Sequence, residues 1–127
     1  MYKFALRELD EVIGIIRFHK LVVDDICLFD EFYEQIKHEA NLVKQLTTIL
    51  ARMNEVANQK LLPHNKFKDI TPQKEKIKEF EIKTGVLRVY LIKEQFTGHI
   101  IIFAGKKNSQ KEDIRKFRSL KKSYLNQ

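Results

Sequence analysis

Apolar positions recur at steps of three and four through the N-terminal half of the chain. Phe32, Ile36, Ala40, Val43, Leu46, Leu50, Met53 and Ala57 form one stripe, with polar residues opposite it. The stripe predicts two helices across residues 30–58, with Asn41 as a cap between them. Residues 54–60 run out into Asn, Gln and Lys, and Pro63 closes the region. Upstream, Tyr2, Phe4 and Leu6 alternate with Lys3, Ala5 and Arg7, which predicts a first strand. Residues 10–29 fit two readings. Leu9, Val12, Ile13 and Ile16 suit a helix capped by Asp10, while 15–23 suit a strand equally well. Gly14 weakens both.

The period changes to two in the second half. Residues 62–76 carry both prolines and read as a basic loop. Residues 78–83, 86–92 and 98–104 are short strand-type runs. Thr84-Gly85 connects the first pair tightly, and 95–98 turn the chain into the third. After Gly105, the spacing of Ile114, Phe117, Leu120 and Tyr124 predicts a helix whose apolar side packs down. Ser109 and Glu112 have capping-box spacing. A helical stripe followed by strand runs implies an α+β fold: a small, twisted, mostly antiparallel sheet with an N-terminal helical hairpin on one face.

At 127 residues the chain reads as one domain over 1–127, large enough for one core. The single cysteine, Cys27, excludes an internal disulfide and a cysteine-based zinc site, and reads as a small buried residue. Charges at Lys3, Arg7, Glu8, Asp10 and Glu11 interrupt any secretory apolar stretch. The uncharged apolar runs fall short of a membrane span. The expectation is a cytoplasmic protein that does not contact membrane.

Charge sharpens this picture. Residues 1–60 hold 8 basic and 10 acidic side chains, a net of −2, and residues 61–127 hold 16 and 7, a net of +9. Such asymmetry points to a polyanionic or acidic partner. Strand alternation puts Phe80 and Ile82 on one side, with Leu87, Val89 and Leu91. It leaves Glu81, Lys83, Arg88 and Tyr90 on the other, expected to be exposed. Lys106 and Lys107 end the third run, where they are expected to reach the same surface. Lys66 and Lys68 add charge from the loop. A half-exposed sheet often has a polar outer face, but a uniformly cationic one suits phosphate better. His64, His99 and Tyr124 read as structural or solvated residues.

Phe80-Glu-Ile-Lys83, Arg88-Val-Tyr90 and the apolar run ending in Gly-Lys-Lys107 resemble, in order and spacing, the RelE/HigB-like toxins of type II toxin–antitoxin modules. The resemblance covers residues 66–124. Residues 1–24 have no counterpart in it and read as an extension. It implies an endoribonuclease that cuts messenger RNA on the ribosome and so inhibits translation. In that chemistry the ribose 2′-hydroxyl attacks its own phosphate, with no cofactor or metal. Carried over, Lys83, Arg88 and Lys107 would be catalytic, and Lys66, Lys68, Glu81, Tyr90 and Lys106 would bind RNA. Lys83 stands where the family has Arg, which loses the guanidinium fork. The implied partners are mRNA, the ribosome and a cognate antitoxin, a helix-turn-helix protein encoded nearby. Two alternatives share the resemblance: a ParE-like toxin that inhibits gyrase, and a catalytically silent relative that binds RNA or a partner.

Overall fold

The computed structural model describes residues 1–127. Three strands come first: β1 (Phe4–Glu8), β2 (Phe18–Val23) and β3 (Ile26–Cys27). Two helices follow, α1 (Leu28–Ile36) and α2 (Ala40–Ala57). Then come β4 (Lys68–Asp69), β5 (Lys78–Lys83), β6 (Leu87–Glu94), β7 (Gly98–Lys106) and α3 (Gln110–Leu125). The strands form one seven-stranded sheet in the order β1-β2-β7-β6-β5-β4, with β3 paired to β2. No helix is long and apolar enough to cross a membrane.

The architecture is α+β, but three features differ from the sequence expectation of a RelE-like fold. The sheet is mixed, because β2 runs parallel to β7. It has seven strands and is not small. The helical hairpin is not N-terminal, since three strands precede it. The physical reason lies in residues 10–29. Leu9, Val12 and Phe18 all bury in the core, yet Gly14 lies against Ala57, where a Cβ would sit 2.7 Å from that residue's backbone. This contact, with Ile16 N–H donating to the Ala57 carbonyl at 2.9 Å, pins residues 10–17 as an irregular segment. The following residues then extend as β2. Asp24 and Asp25 both take positive φ (49° and 69°) and turn β2 back into β3.

The sheet is covered on both faces. Phe29, Phe32, Ile36, Leu42, Leu46, Ile49 and Met53 of α1 and α2 pack on Ile82, Leu87, Val89, Leu91 and Ile101. On the other face Phe117 of α3 packs among Leu21, Tyr90, Ile92, Ile100 and Ile102, with Ile114, Leu120 and Tyr124 at its margin. Neither predicted cap forms. Asn41 lies inside α2, whose N-cap residue is Glu39, and Ser109 makes no cap bond to backbone. Ser109 instead donates its hydroxyl proton to the Asp113 carboxylate at 2.6 Å, with the Lys106 carbonyl 3.1 Å from the same oxygen.

His99 is buried among Phe18, Phe67 and Phe80, with ring centroids 4.7, 5.9 and 5.8 Å away, and neither ring nitrogen has a partner. Burial, reinforced by the Lys93 charge, pushes its pKa from 6.5 down to about 4. The folded state therefore resists taking up a proton that the unfolded state accepts. Wild-type stability should fall as pH drops from about 6.5 to about 4, by on the order of 3 kcal/mol. Urea titrations at several pH values should show that His99→Phe lacks this part of the dependence. An identical pH profile in the variant would contradict it.

Candidate functional site

Strand register assembles most of the sequence candidates in two adjacent rows. One row runs Lys68, Glu81, Tyr90, Phe103 across β4, β5, β6 and β7. The next runs Lys83, Arg88, Gly105. Directly opposed residues share a face, so these side chains all lie on the α3 side. This face is not the exposed one. Tyr90 is 0% exposed and stacks on Phe117 with ring centroids 5.6 Å apart. Glu81 is buried and accepts a 2.6 Å hydrogen bond from Gln110 of α3. The apolar stripe of α3 needed a surface, α1 and α2 had taken one face, and this was the other.

Lys106 lies outside the cluster. Between Tyr90 and Leu91 the β6–β7 register shifts, leaving Ile102 as an extra residue in β7. The bulge reverses the alternation beyond it. Lys106 consequently pairs with Leu87 on the α1/α2 side and approaches Glu39 of α2's N-terminus at 3.9 Å. Gly105 takes the place beside Arg88. The Asp113 carboxylate occupies the space a side chain there would need, for a Cβ on Gly105 would lie 1.9 Å from Asp113 Oδ2. Lys107 begins the short 3₁₀ turn into α3, its N–H bonded to the Val86 carbonyl at 2.7 Å. Lys66 is exposed in the loop before β4. His64 is exposed in the same loop, and Tyr124 lies against Phe4 and within 3.5 Å of Glu94.

Arg88 is the unusual member. It is 7% exposed, yet it forms no ion pair with any carboxylate. Its Nη1 donates to the carbonyls of Thr84 and Leu87 at 2.6 and 2.8 Å. Its Nε has no acceptor. Lys68, Lys83, Lys66 and Lys107 also lack ion pairs. No family model, curated protein or solved structure matches the chain. Its resemblance to RelE/HigB-like toxins thus rests on the motif residues alone.

Several residues beside the cluster, Ser109 apart, carry no mark in the sequence. Gln110 holds Glu81, and Asp113 with Ser109 covers Gly105. Gln45 of α2 accepts from Thr84 Oγ1 at 2.9 Å and from Val86 N at 2.8 Å, fixing the β5–β6 turn. The Arg52 guanidinium bonds the Lys83 carbonyl. Together they hold the backbone that carries Lys83 and Arg88. Burial, with the negative charges of Glu81 and Asp113 nearby, raises the Tyr90 hydroxyl far above the usual phenol range. Tyr90 therefore stays protonated and serves the core. A groove of about 490 Å³ between α1 and the start of α3 adjoins the site, lined by Phe103, Lys106, Ser109, Asp113 and Lys116 among others.

Proposed function

We propose that this chain is an RNA-directed toxin of the RelE/HigB type, acting on ribosome-bound mRNA and held inactive by a small antitoxin. The observation that carries the reading is Arg88. A buried guanidinium without a carboxylate is costly, and two carbonyls offset that cost only in part. Nε is itself buried, so a phosphate would complete it at the Nη2 edge, which makes no hydrogen bond within the chain. Lys83, paired with Arg88 across β5 and β6, adds unpaired positive charge beside it, and Lys68 adds more in the next row. In this reading Arg88 clamps the scissile phosphate as the 2′-hydroxyl attacks, and Lys83 and Lys107 stabilise the charge that develops on the phosphorane. Lys66 and Lys68 hold flanking phosphates, and Glu81, tied to Gln110, keeps the β5 backbone in place.

A second reading has its own observation. α3 occupies the face that would meet RNA, and Tyr90, sealed under Phe117, offers no proton to the reaction. This favours binding of RNA or a partner without cleavage. One experiment separates the two. Purified chain is incubated with programmed ribosomes and the mRNA 5′ ends are mapped, with co-purification from the native host in parallel. The first reading predicts new ends within codons and a small co-purifying protein. Ribosome or RNA binding without new ends supports the second, and neither binding nor ends removes both.

Salt provides a further check. If Lys68, Lys83 and Lys107 each neutralise a phosphate, log affinity for a short RNA falls linearly with log salt, and each Lys→Ala change reduces the slope by about 0.7. Slopes equal to wild type in all three variants would remove these lysines from the interface.

A further inference from the structure

The sheet ends in two outer strands of different character. β4 is two residues, Lys68 and Asp69, and presents little edge. β1 is five residues without proline, paired only to β2, and four of its five side chains are exposed. Nothing covers its outer edge within the chain, and long free edges of this kind pair with other strands. The direction of that edge follows from its hydrogen bonds. The Asp24 N–H donates to the Lys3 carbonyl at 2.8 Å, and at the other end Leu9 N–H donates to the Phe18 carbonyl at 3.0 Å. Residues 3 and 9 thus bond toward β2, and by alternation so do 5 and 7. The backbone groups of Phe4, Leu6 and Glu8 point outward.

We propose that β1 pairs with β1 of a second copy, antiparallel, about a twofold axis through Leu6. A twofold perpendicular to the sheet keeps each face on its own side, so opposed residues must be both even or both odd in number. Three registers near the strand centre satisfy this. Centring on Ala5 sets Lys3 against Arg7, and centring on Arg7 sets that residue against itself. Like charges directly opposed are destabilising. Centring on Leu6 opposes Leu6 with Leu6, Ala5 with Arg7, and Phe4 with Glu8, with no like charges facing. It is also the register that uses the outward N–H and C=O of all three residues, Phe4, Leu6 and Glu8. The apolar surface fits the same seam. Leu6 is 37% and Tyr2 49% exposed, and both lie on the α3 side with Phe4, which packs edge-to-face on Tyr124. The edge is its own complement in hydrogen bonding, charge and apolar contact, which selects a second copy as occupant.

Sedimentation equilibrium of the full chain across the micromolar range tests this. Wild type should show a reversible monomer–dimer equilibrium. Leu6→Lys, which sets two ammonium groups at the axis, and Leu6→Pro, which deletes the central N–H, should be monomeric at the same concentrations with unchanged circular dichroism. In a separate test Leu6→Cys should oxidise to a covalent dimer, because opposed Cα atoms about 5.5 Å apart lie within disulfide range. Ile13→Cys, at an exposed position outside β1, should not; the native Cys27 is buried. A chain monomeric throughout, or a dimer that survives both Leu6→Lys and Leu6→Pro, overturns the proposal. If those two variants unfold, the Leu6→Cys reaction decides alone: cross-linking supports the pairing and its failure overturns it.

Discussion

Replacing Glu79 with alanine should cost about 3–5 kcal/mol of stability, the range for removing one partner of a buried ion pair. Glu79 lies on β5, its side chain 1% exposed, and receives Lys121 Nζ at 2.8 Å and Arg118 Nε at 3.0 Å from α3. Lys121 is itself 3% exposed and also donates to the Ile77 carbonyl at 2.9 Å. Without the Glu79 carboxylate, the buried ammonium beside the Tyr90–Phe117 core keeps only Glu75, half-exposed and 3.5 Å away. The loss lies in the uncompensated charge and not in the pair as such. Glu79→Met combined with Lys121→Leu should therefore recover most of the stability. Urea denaturation of the two single variants and the double variant checks this. A Glu79→Ala protein within about 1 kcal/mol of wild type would show that Glu75 or water, not Glu79, satisfies Lys121.

That latch explains how much of the site was legible in advance. Apolar alternation in β5 and β6 correctly paired Leu87, Val89 and Leu91 against the helices, because polar residues separate them. It placed Glu81, Lys83, Arg88 and Tyr90 on one common face for the same reason. It did not show that the face is covered. Lys121 falls four residues after Phe117 and three before Tyr124, inside the apolar stripe of α3. A lysine at such a position needs a buried acid, and Glu79 on the strand supplies it. The bulge in β7 carried no signal at all. Ile100, Ile101, Ile102 and Phe103 are apolar on every position, so no alternation marks which residue is extra. A one-residue slip there sent Lys106 to the far face. In residues 10–29 the decision between helix and strand came from the contact between Gly14 and Ala57, which are 43 positions apart, and no local period encodes it.

Replacing Arg88 should have the largest effect on activity. On the proposed reading its guanidinium acts where negative charge develops, and loss of one such group costs about 10²–10³ in rate. Arg88→Gln is the informative variant. It keeps a donor for the Thr84 and Leu87 carbonyls while removing the charge, so folding and clamping are separated. Arg88→Lys keeps the charge but not the fork and should fall between the two. Lys107→Ala should lose less than Arg88→Gln, because Lys107 is exposed and acts as a point charge in high dielectric.

The most direct test of the account maps mRNA 5′ ends after induced expression of wild type and of Arg88→Gln, with both proteins shown to be folded at equal levels. Wild type should give abundant new ends within coding sequences, and Arg88→Gln should reduce them by about 10²-fold or more. New ends at the wild-type frequency in the Arg88→Gln strain would contradict it.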